Sequence, residues 1–509
     1  MSHLAAYTVP QRIALLLAGC AVAAAVILAG REGPGPETVT ASGVEVVTRT
    51  PFEVADPGPD ESRRLLERAS DGFAHVLYEL SPGGVEATAE RTLRFRDEIR
   101  AAAALEGVDP RTLEALVFLE SAGRPDVIAG PTPESAAGLT QIIPSTAEDL
   151  LGMSVDLDRS KELTRKIASQ SARAEEAERP KARRKAARRV RELLAERRAA
   201  DERFDPEAAL AGAARYLSLA EDHFGREDLA TVSYHMGIQN LDRVIATYLA
   251  PQRVRGPIRQ AVAEEGLSYA QLYFDATPVR HPRTYALLRE LGDDTRRYLF
   301  RLEAARDVLR LYRTDRAELR RLAELHAGKA SSEEVLHPPG ETERFGNPTQ
   351  VRDAYDDREL VPLRDDPRRL GYRVDRRMGE LARQLEQEPA LYRGLRPEAL
   401  ATVVHIADEL REITGRPTTL ELTSTVRDEA YQELLRTVNP EAAEDYSLHT
   451  TGFAFDIARD LSKREEKALE AVLERLQAFN VLAWVYEPGA IHVTAGPDAR
   501  ELIADSGLL

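Results

Sequence analysis

The sequence predicts a multidomain α+β protein, on three observations. The chain has 509 residues, too many for one ordinary core. Ala, Leu, Arg and Glu dominate while aromatic residues make up only 6%, which favours helix over sheet. The apolar period shifts from helical to twofold only towards the C-terminus. The expected order is an N-terminal membrane helix, an all-α domain carrying a helical insertion, and a C-terminal α+β domain with a small antiparallel sheet.

Hydrophobic residues make up 43% of the chain and charged residues 30%, the balance of a folded protein. The formal net charge of -16 gives no global electrostatic support to nucleic-acid binding. Cys20 is the single cysteine, so internal disulfides and four-cysteine zinc sites are excluded. Any metal has to be held by His, Asp or Glu.

Arg12 precedes the apolar run IALLLAGCAVAAAVILA at 13–29, close to the minimum length of a spanning helix. Residues 1–30 are read as a signal anchor, with a cleaved signal peptide as the alternative. Leu17-Ala18-Gly19-Cys20 also resembles a lipobox, which would make the chain a lipoprotein through Cys20. In all three cases the remaining chain is expected on the periplasmic, extracytoplasmic side of the cell membrane. Residues 31–60 are rich in Pro, Gly, Thr and acidic residues, lack helical period and read as a linker.

Residues 61–330 read as the helical domain. Within 95–123 two helices are separated by Gly107-Val108-Asp109-Pro110, where Asp109 suits an N-cap and Pro110 the first helical position. Leu113, Leu116, Val117 and the pair Leu119/Glu120 recur at helical spacing, which carries Glu120 to the C-terminal end of an apolar helix. Residues 154–204 form a charged insertion. Its stretch KARRKAARRVRELLAERR at 181–198 is strongly basic. It reads as a solvated helix or hairpin with Glu/Arg pairing, or else as a face for anionic wall polymers or lipid headgroups. Residues 331–372 mix Pro, Gly and charge without period and are taken as a second linker. The last domain, 373–509, contains a helix at 396–414 and short strands in TTLELTSTV, GFAFDIA, VLAWVYE and AIHVTA.

A carboxyl at the end of an apolar helix is partly desolvated, which raises its pKa and suits it to act as an acid near neutrality. Four pieces follow one another around Glu120. They are Glu120-Ser121, Gly138-Leu139-Thr140-Gln141, FDPEAALAGAARYL at 204–217, and Tyr234-His235-Met236-Gly237. In this order they resemble the soluble lytic transglycosylase family over roughly residues 90–250. The resemblance implies a lysozyme-like fold that cleaves peptidoglycan and needs no cofactor. It makes Glu120 catalytic, lines the sugar groove with Gln141 and Tyr234, and has Ser121 help position Glu120 or substrate. Members use one Glu first as acid and then as base, closing a 1,6-anhydro ring without water. Thr140 and His235 depart from the family's Met and Asn. His235 is either a substrate contact or an ordinary packing residue. Asp126 and Glu134 are candidates for a second carboxylate, which would make the cleavage hydrolytic, as in a goose-type lysozyme.

A second constellation lies near the C-terminus. His449, Asp456 and His492 form a valid three-ligand set for catalytic zinc, with a fourth position left for water. Strand alternation turns Phe453, Phe455 and Ile457 one way and Ala454, Asp456 and Ala458 the other. A hairpin turn at Pro488-Gly489 would bring Glu487, Ala490 and His492 to one face. Glu487 then stands where a general base is needed. The segment Ser447 to Asp456 carries Ser-x-His-x-x-Gly-x-Ala-x-Asp and resembles the zinc D-Ala-D-Ala peptidases, the D,D-carboxypeptidases and vancomycin-resistance dipeptidases among them. That family's Ser-x-x-x-Arg segment corresponds to Thr423-Ser424-Thr425-Val426-Arg427, implying that Arg427 holds a substrate carboxylate. The resemblance covers about 395–500 and implies a zinc-peptidase-like domain. Its departure is at Glu487, which precedes His492 by five residues where the family has Glu-x-x-His. His405, on a helical face, is expected in the core.

Together these readings point to a membrane-tethered cell-wall enzyme with a glycan-cleaving domain and a Zn2+ carboxypeptidase domain. The competing expectations are a non-catalytic peptidoglycan-binding or scaffold protein, and a transglycosylase whose C-terminal domain only binds.

Overall fold

The computed structural model describes residues 38–48, 59–252, 256–366, 368–438 and 446–504. It is mostly helical with small sheets, consistent with a multidomain α+β protein. Among the described residues no helix is long and apolar enough to cross a membrane. The apolar run 13–29 lies outside the described residues.

The chain enters through a hairpin, β1 (Thr38–Ala41) and β2 (Val44–Val47), inside the stretch expected to be a linker. Ser42 and Gly43 make the turn with φ of 50° and 91°. The hairpin docks on the C-terminal domain: Val47 O faces the His405 ring at 3.1 Å, and the Ala504 amide donates to Glu45 O at 2.8 Å. The linker reading failed here because alternating Val and Thr residues bury one face of a ribbon only four residues long per strand.

The helical part opens with α1 (Pro59–Phe73). Helices His75–Leu80 and Val85–Leu93 follow, and then α2 (Arg96–Glu106) and α3 (Pro110–Ser121). Gly107 ends α2 at φ 74°, and the Asp109 carboxylate caps α3 by accepting from the Arg111 amide. Helix α3 is enclosed on two sides. Leu113 and Val117 pack with Ile99 of α2 and with Leu210 and Ala213 of α6 (Pro206–Phe224). Leu116 and Phe118 pack with Leu302 and Leu309 of α8 (Tyr298–Thr314). Each such side chain contributes roughly 1.5–3 kcal/mol by leaving water. The insertion is a hairpin of α4 (Leu157–Glu176) and α5 (Pro180–Ala200), tied at its base where the Asp156 amide donates to Ala200 O at 2.8 Å. Helix α7 (Glu227–Met236) closes the unit around Tyr234.

The C-terminal sheet runs β3 (Tyr372–Val374), β4 (Leu420–Ser424), β5 (Ala454–Ala458), β7 (Ala490–Ala495), β6 (Leu482–Tyr486). It is not wholly antiparallel as expected: β3 pairs in parallel with β4. One face, with Leu420, Leu422, Phe455, Ile457, Ile491 and Val493, packs on α9 (Pro397–Thr414) and α10 (Lys463–Ala478). The stretch 331–372 is not a free linker either. It holds helices at Glu333–Leu336 and Pro348–Asp356, and Phe345, Val351 and Leu360 are buried together with Val426. Its helices are too short for their period to show through the mixed charge.

The two parts share one continuous core. Phe274 stacks on Phe479 at 4.5 Å between ring centroids. A Cβ on Gly72 of α1 would lie 2.0 Å from Gln477 O of α10, so glycine permits that close approach. Nearby, Glu474 of α10 is buried and receives Arg289 at 2.7 Å, Arg296 at 2.8 Å and Arg297 at 3.0 Å. Removing this carboxylate leaves a cluster of like charges out of water. Glu474→Ala is expected to lower stability by about 3–5 kcal/mol in a denaturant titration. Glu470→Ala, which loses one partly exposed 3.5 Å pair, should change it by less than about 1 kcal/mol.

Two candidate active sites

The first site stands at the end of α3. The helix stops because Ala122 and Gly123 both take left-handed backbone, φ 53° and 69°. A Cβ at Gly123 would lie 2.5 Å from the Thr92 amide nitrogen, so the chain passes close to its neighbour. Glu120 is left in the last turn, where burial pushes its pKa up to about 7. The Tyr298 hydroxyl donates to Glu120 Oε1 at 2.7 Å and opposes part of that rise. Tyr298 comes from α8 and its ring stacks on His235, centroids 5.1 Å apart. His235 in turn lies 3.2 Å from the Thr295 hydroxyl. It therefore packs against Glu120's partner with Nδ1 engaged, while the residue stays exposed.

The expected sugar contacts are placed less uniformly. Tyr234 packs edge-on against Tyr216 and donates to Thr140 O at 2.8 Å. The Glu120 charge is among the causes that hold its phenol well above the usual range, burial being the largest. The Gln141 amide donates to Gly138 O at 2.8 Å and Val127 O at 3.2 Å, so it shapes the loop between α3 and the insertion. Gly138 has φ 82°, and a Cβ there would lie 1.7 Å from Arg203 O. Ser121 departs from expectation: it is buried, and its hydroxyl donates to Val117 O of its own helix at 3.2 Å. It cannot face a sugar in that rotamer.

Neither candidate for a second carboxylate is free. Asp126 pairs with Arg197 at 3.0 Å and Arg198 at 3.6 Å, both from α5. Glu134 pairs with Lys161 of α4. The insertion thus neutralises the two acids on the loop that follows Glu120. Arg197 also lies over the Phe204 ring, 3.7 Å from its centroid. Tyr298 escaped sequence reasoning because it is 178 residues from Glu120 and belongs to no motif.

The second site lies on the face of the C-terminal sheet opposite α9 and α10. In the register Asp456 stands directly opposite His492, and Val485 opposite His492 on the other side. Glu487 closes the hairpin by donating its amide to Ala490 O at 2.9 Å, which puts it on the same face as His492. His449 comes from the short helix Leu448–Thr451, and its Nδ1 donates to Thr425 O at 2.8 Å. That leaves Nε2 turned to Asp456 Oδ1 at 3.2 Å. His492 Nδ1 is 2.9 Å from the same oxygen.

The donor atoms of His449, Asp456 and His492 lie within 4.8 Å of one another, and all three residues are buried. Two imidazole nitrogens and one carboxylate oxygen fit a zinc site. Burial, then the nearby Arg427 cation, push the His449 pKa down to about 4, so it stays neutral as a ligand must. Burial opposes charge on His492 too, but Asp456 and Glu333 outweigh it and push its pKa up to about 10. Glu487 lies at the exposed rim, its carboxyl raised by partial desolvation and by Asp456. Arg427 touches Ser424 Oγ at 2.6 Å, Gln432 Oε1 at 3.0 Å and Asp456 Oδ2 at 3.7 Å. It borders a cavity of about 570 Å³ lined also by Met378, Tyr392, Thr423, Tyr431 and Asp456. Glu333, from the supposed linker, reaches His492 Nε2 at 3.0 Å. Sequence reasoning missed it. His405 is buried in α9, as expected of a core residue.

The unfolded chain releases the Glu120 proton near pH 4.5 and the folded chain near 7, so folding is progressively disfavoured as pH rises between them. Glu120→Gln removes that penalty. Its gain in stability is expected to be on the order of 2 kcal/mol at pH 8 and near zero at pH 4, read from thermal unfolding at both values.

No curated protein matches the chain. Residues 97–170 match the family model of the transglycosylase SLT domain, a span that holds α3, Glu120, the loop to Gln141 and the start of the insertion. This match supports lytic transglycosylase chemistry on peptidoglycan for the helical part of the chain.

Proposed function

We propose that this chain is a bifunctional peptidoglycan enzyme of the bacterial cell wall. The helical part cuts glycan strands without water, and the C-terminal domain trims stem peptides as a zinc carboxypeptidase. The apolar run at 13–29 would hold both at the outer face of the cytoplasmic membrane.

One observation carries the glycan reading. Glu120 lies within the matched region, is protonated up to about pH 7, and has its neighbouring acids Asp126 and Glu134 committed to ion pairs. A single carboxyl then does both proton transfers. Its Oε proton passes to the glycosidic oxygen as the C1–O4 bond breaks. The resulting carboxylate takes the proton of the sugar's 6-hydroxyl as the C1–O6 bond forms, giving the 1,6-anhydro end. Tyr298 keeps the carboxyl oriented through both steps.

The peptidase reading rests on the buried His449, Asp456 and His492 set. Zinc held there would supply a Lewis acid and an activated water. In this reading Glu487, on the same sheet face as His492, takes the proton from an attacking water. In the same reading Arg427, at the edge of the cavity, binds the carboxylate of a peptide end.

Digestion of purified peptidoglycan should yield anhydro-sugar ends at a rate that falls as pH rises through about 7. Glu120→Gln should reduce that rate by at least about 100-fold. Tyr298→Phe removes a hydrogen bond that favours the charged carboxylate, so the alkaline limb should move to higher pH. Reducing ends in the digest would replace this mechanism with hydrolysis. Separately, the purified chain should retain about one zinc per molecule, and His449→Ala should lose it. Chelation should stop release of C-terminal D-Ala and leave anhydro-product formation unchanged.

A further inference from the structure

We infer that Glu333 is a positioning residue of the metal site, fixing which nitrogen of His492 faces the ion. The inference rests on the zinc reading above and deepens it. Glu333 lies in the short helix Glu333–Leu336, between the two catalytic parts and outside every motif that points to this site. Its Oε2 stands 3.0 Å from His492 Nε2. The Thr494 hydroxyl lies 3.3 Å from the same oxygen and steadies it.

The two nitrogens of an imidazole point away from each other. On His492, Nδ1 faces Asp456 at 2.9 Å and Nε2 faces Glu333. Glu333 is therefore on the far side of the ring from the shared donor cluster, where it accepts the Nε2 proton. A proton fixed on Nε2 leaves the Nδ1 lone pair for the ion. His449 is arranged in the opposite sense, since its Nδ1 donates to Thr425 O and its Nε2 faces Asp456. The two histidines thus present different nitrogens, each set by an acceptor on its outer side. For His449 that acceptor is a backbone carbonyl, which the fold supplies whatever the side chain. For His492 it is a carboxylate, which also adds negative charge near the cation and makes the imidazole a stronger donor.

The test uses the full chain and zinc alone. Wild type, Glu333→Ala, Glu333→Gln and His449→Ala are titrated against a competing chelator. Glu333→Ala should bind zinc about 10–100-fold more weakly than wild type. Glu333→Gln, whose carbonyl oxygen accepts the same N–H, should recover most of that loss. In 15N-histidine spectra of the zinc-loaded wild type, His492 should carry its proton on Nε2. Unchanged affinity in Glu333→Ala, or a metallated Nε2 on His492, overturns the assignment while zinc binding itself stands. A loss in both Glu333 variants as deep as in His449→Ala makes Glu333 a direct ligand and overturns it too. A wild type that takes up no zinc removes the metal reading and this inference together.

Discussion

Helix α3 has to end where it does, and much of the first site follows from that ending. Ala122 and Gly123 in left-handed backbone turn the chain sharply against the neighbouring helix, and only glycine fits the second position. The turn leaves Glu120 within the last helical turn, while the end carbonyls of Val117, Phe118 and Ser121 are taken up by the amides of Gly123, Ala122 and Arg124. Apolar packing beneath it removes water. Burial disfavours the carboxylate and favours the acid. The hydrogen bond from Tyr298 works the other way, but burial is the larger of the two.

The charged insertion gains a role from the same loop. Its basic composition is read either as a solvated helical hairpin with Glu/Arg pairing, which the Arg189–Glu192 and Arg159–Glu196 pairs match, or as a surface for anionic polymers. The side chains nearest the site instead turn inward: Arg197 is almost fully buried and pairs with Asp126, and Lys161 pairs with Glu134. A buried Asp201–Arg203 pair at 2.8 Å anchors the base of the hairpin, with Arg203 also donating to the carbonyls of Pro133 and Ser135. Positive charge in the insertion and negative charge in the loop therefore belong to one local structure.

How far the sequence could be read depended on how local each signal was. The cap at Asp109, the apolar stripe of α3 and the strand alternation around Asp456 each lie within a dozen residues, and each has a fixed geometric meaning. The Pro488-Gly489 turn fixed the face of Glu487 in the same way. Tyr298 and Glu333 are different. They reach their partners only through tertiary packing, and a lone Tyr or Glu in a helical stretch carries no signal of that. For Ser121 a motif names a residue type without its rotamer, and here the hydroxyl bonds back to its own helix. The two supposed linkers were misread because their elements are very short. A strand of four residues or a helix of one turn shows too little periodicity to compete with Pro, Gly and mixed charge.

The common core has a consequence for polymer substrates. Phe274 against Phe479, Gly72 against Gln477 and three arginines around Glu474 leave the two halves little freedom to rotate on one another. Glu120 and the histidine cluster therefore stand a constant distance apart, like two marks on a ruler. A flexible tether would let each half search the wall independently. If both sites act on peptidoglycan as proposed, a rigid pairing samples a long, repetitive strand at one set spacing, and the repeat of that strand decides whether both halves are engaged at once.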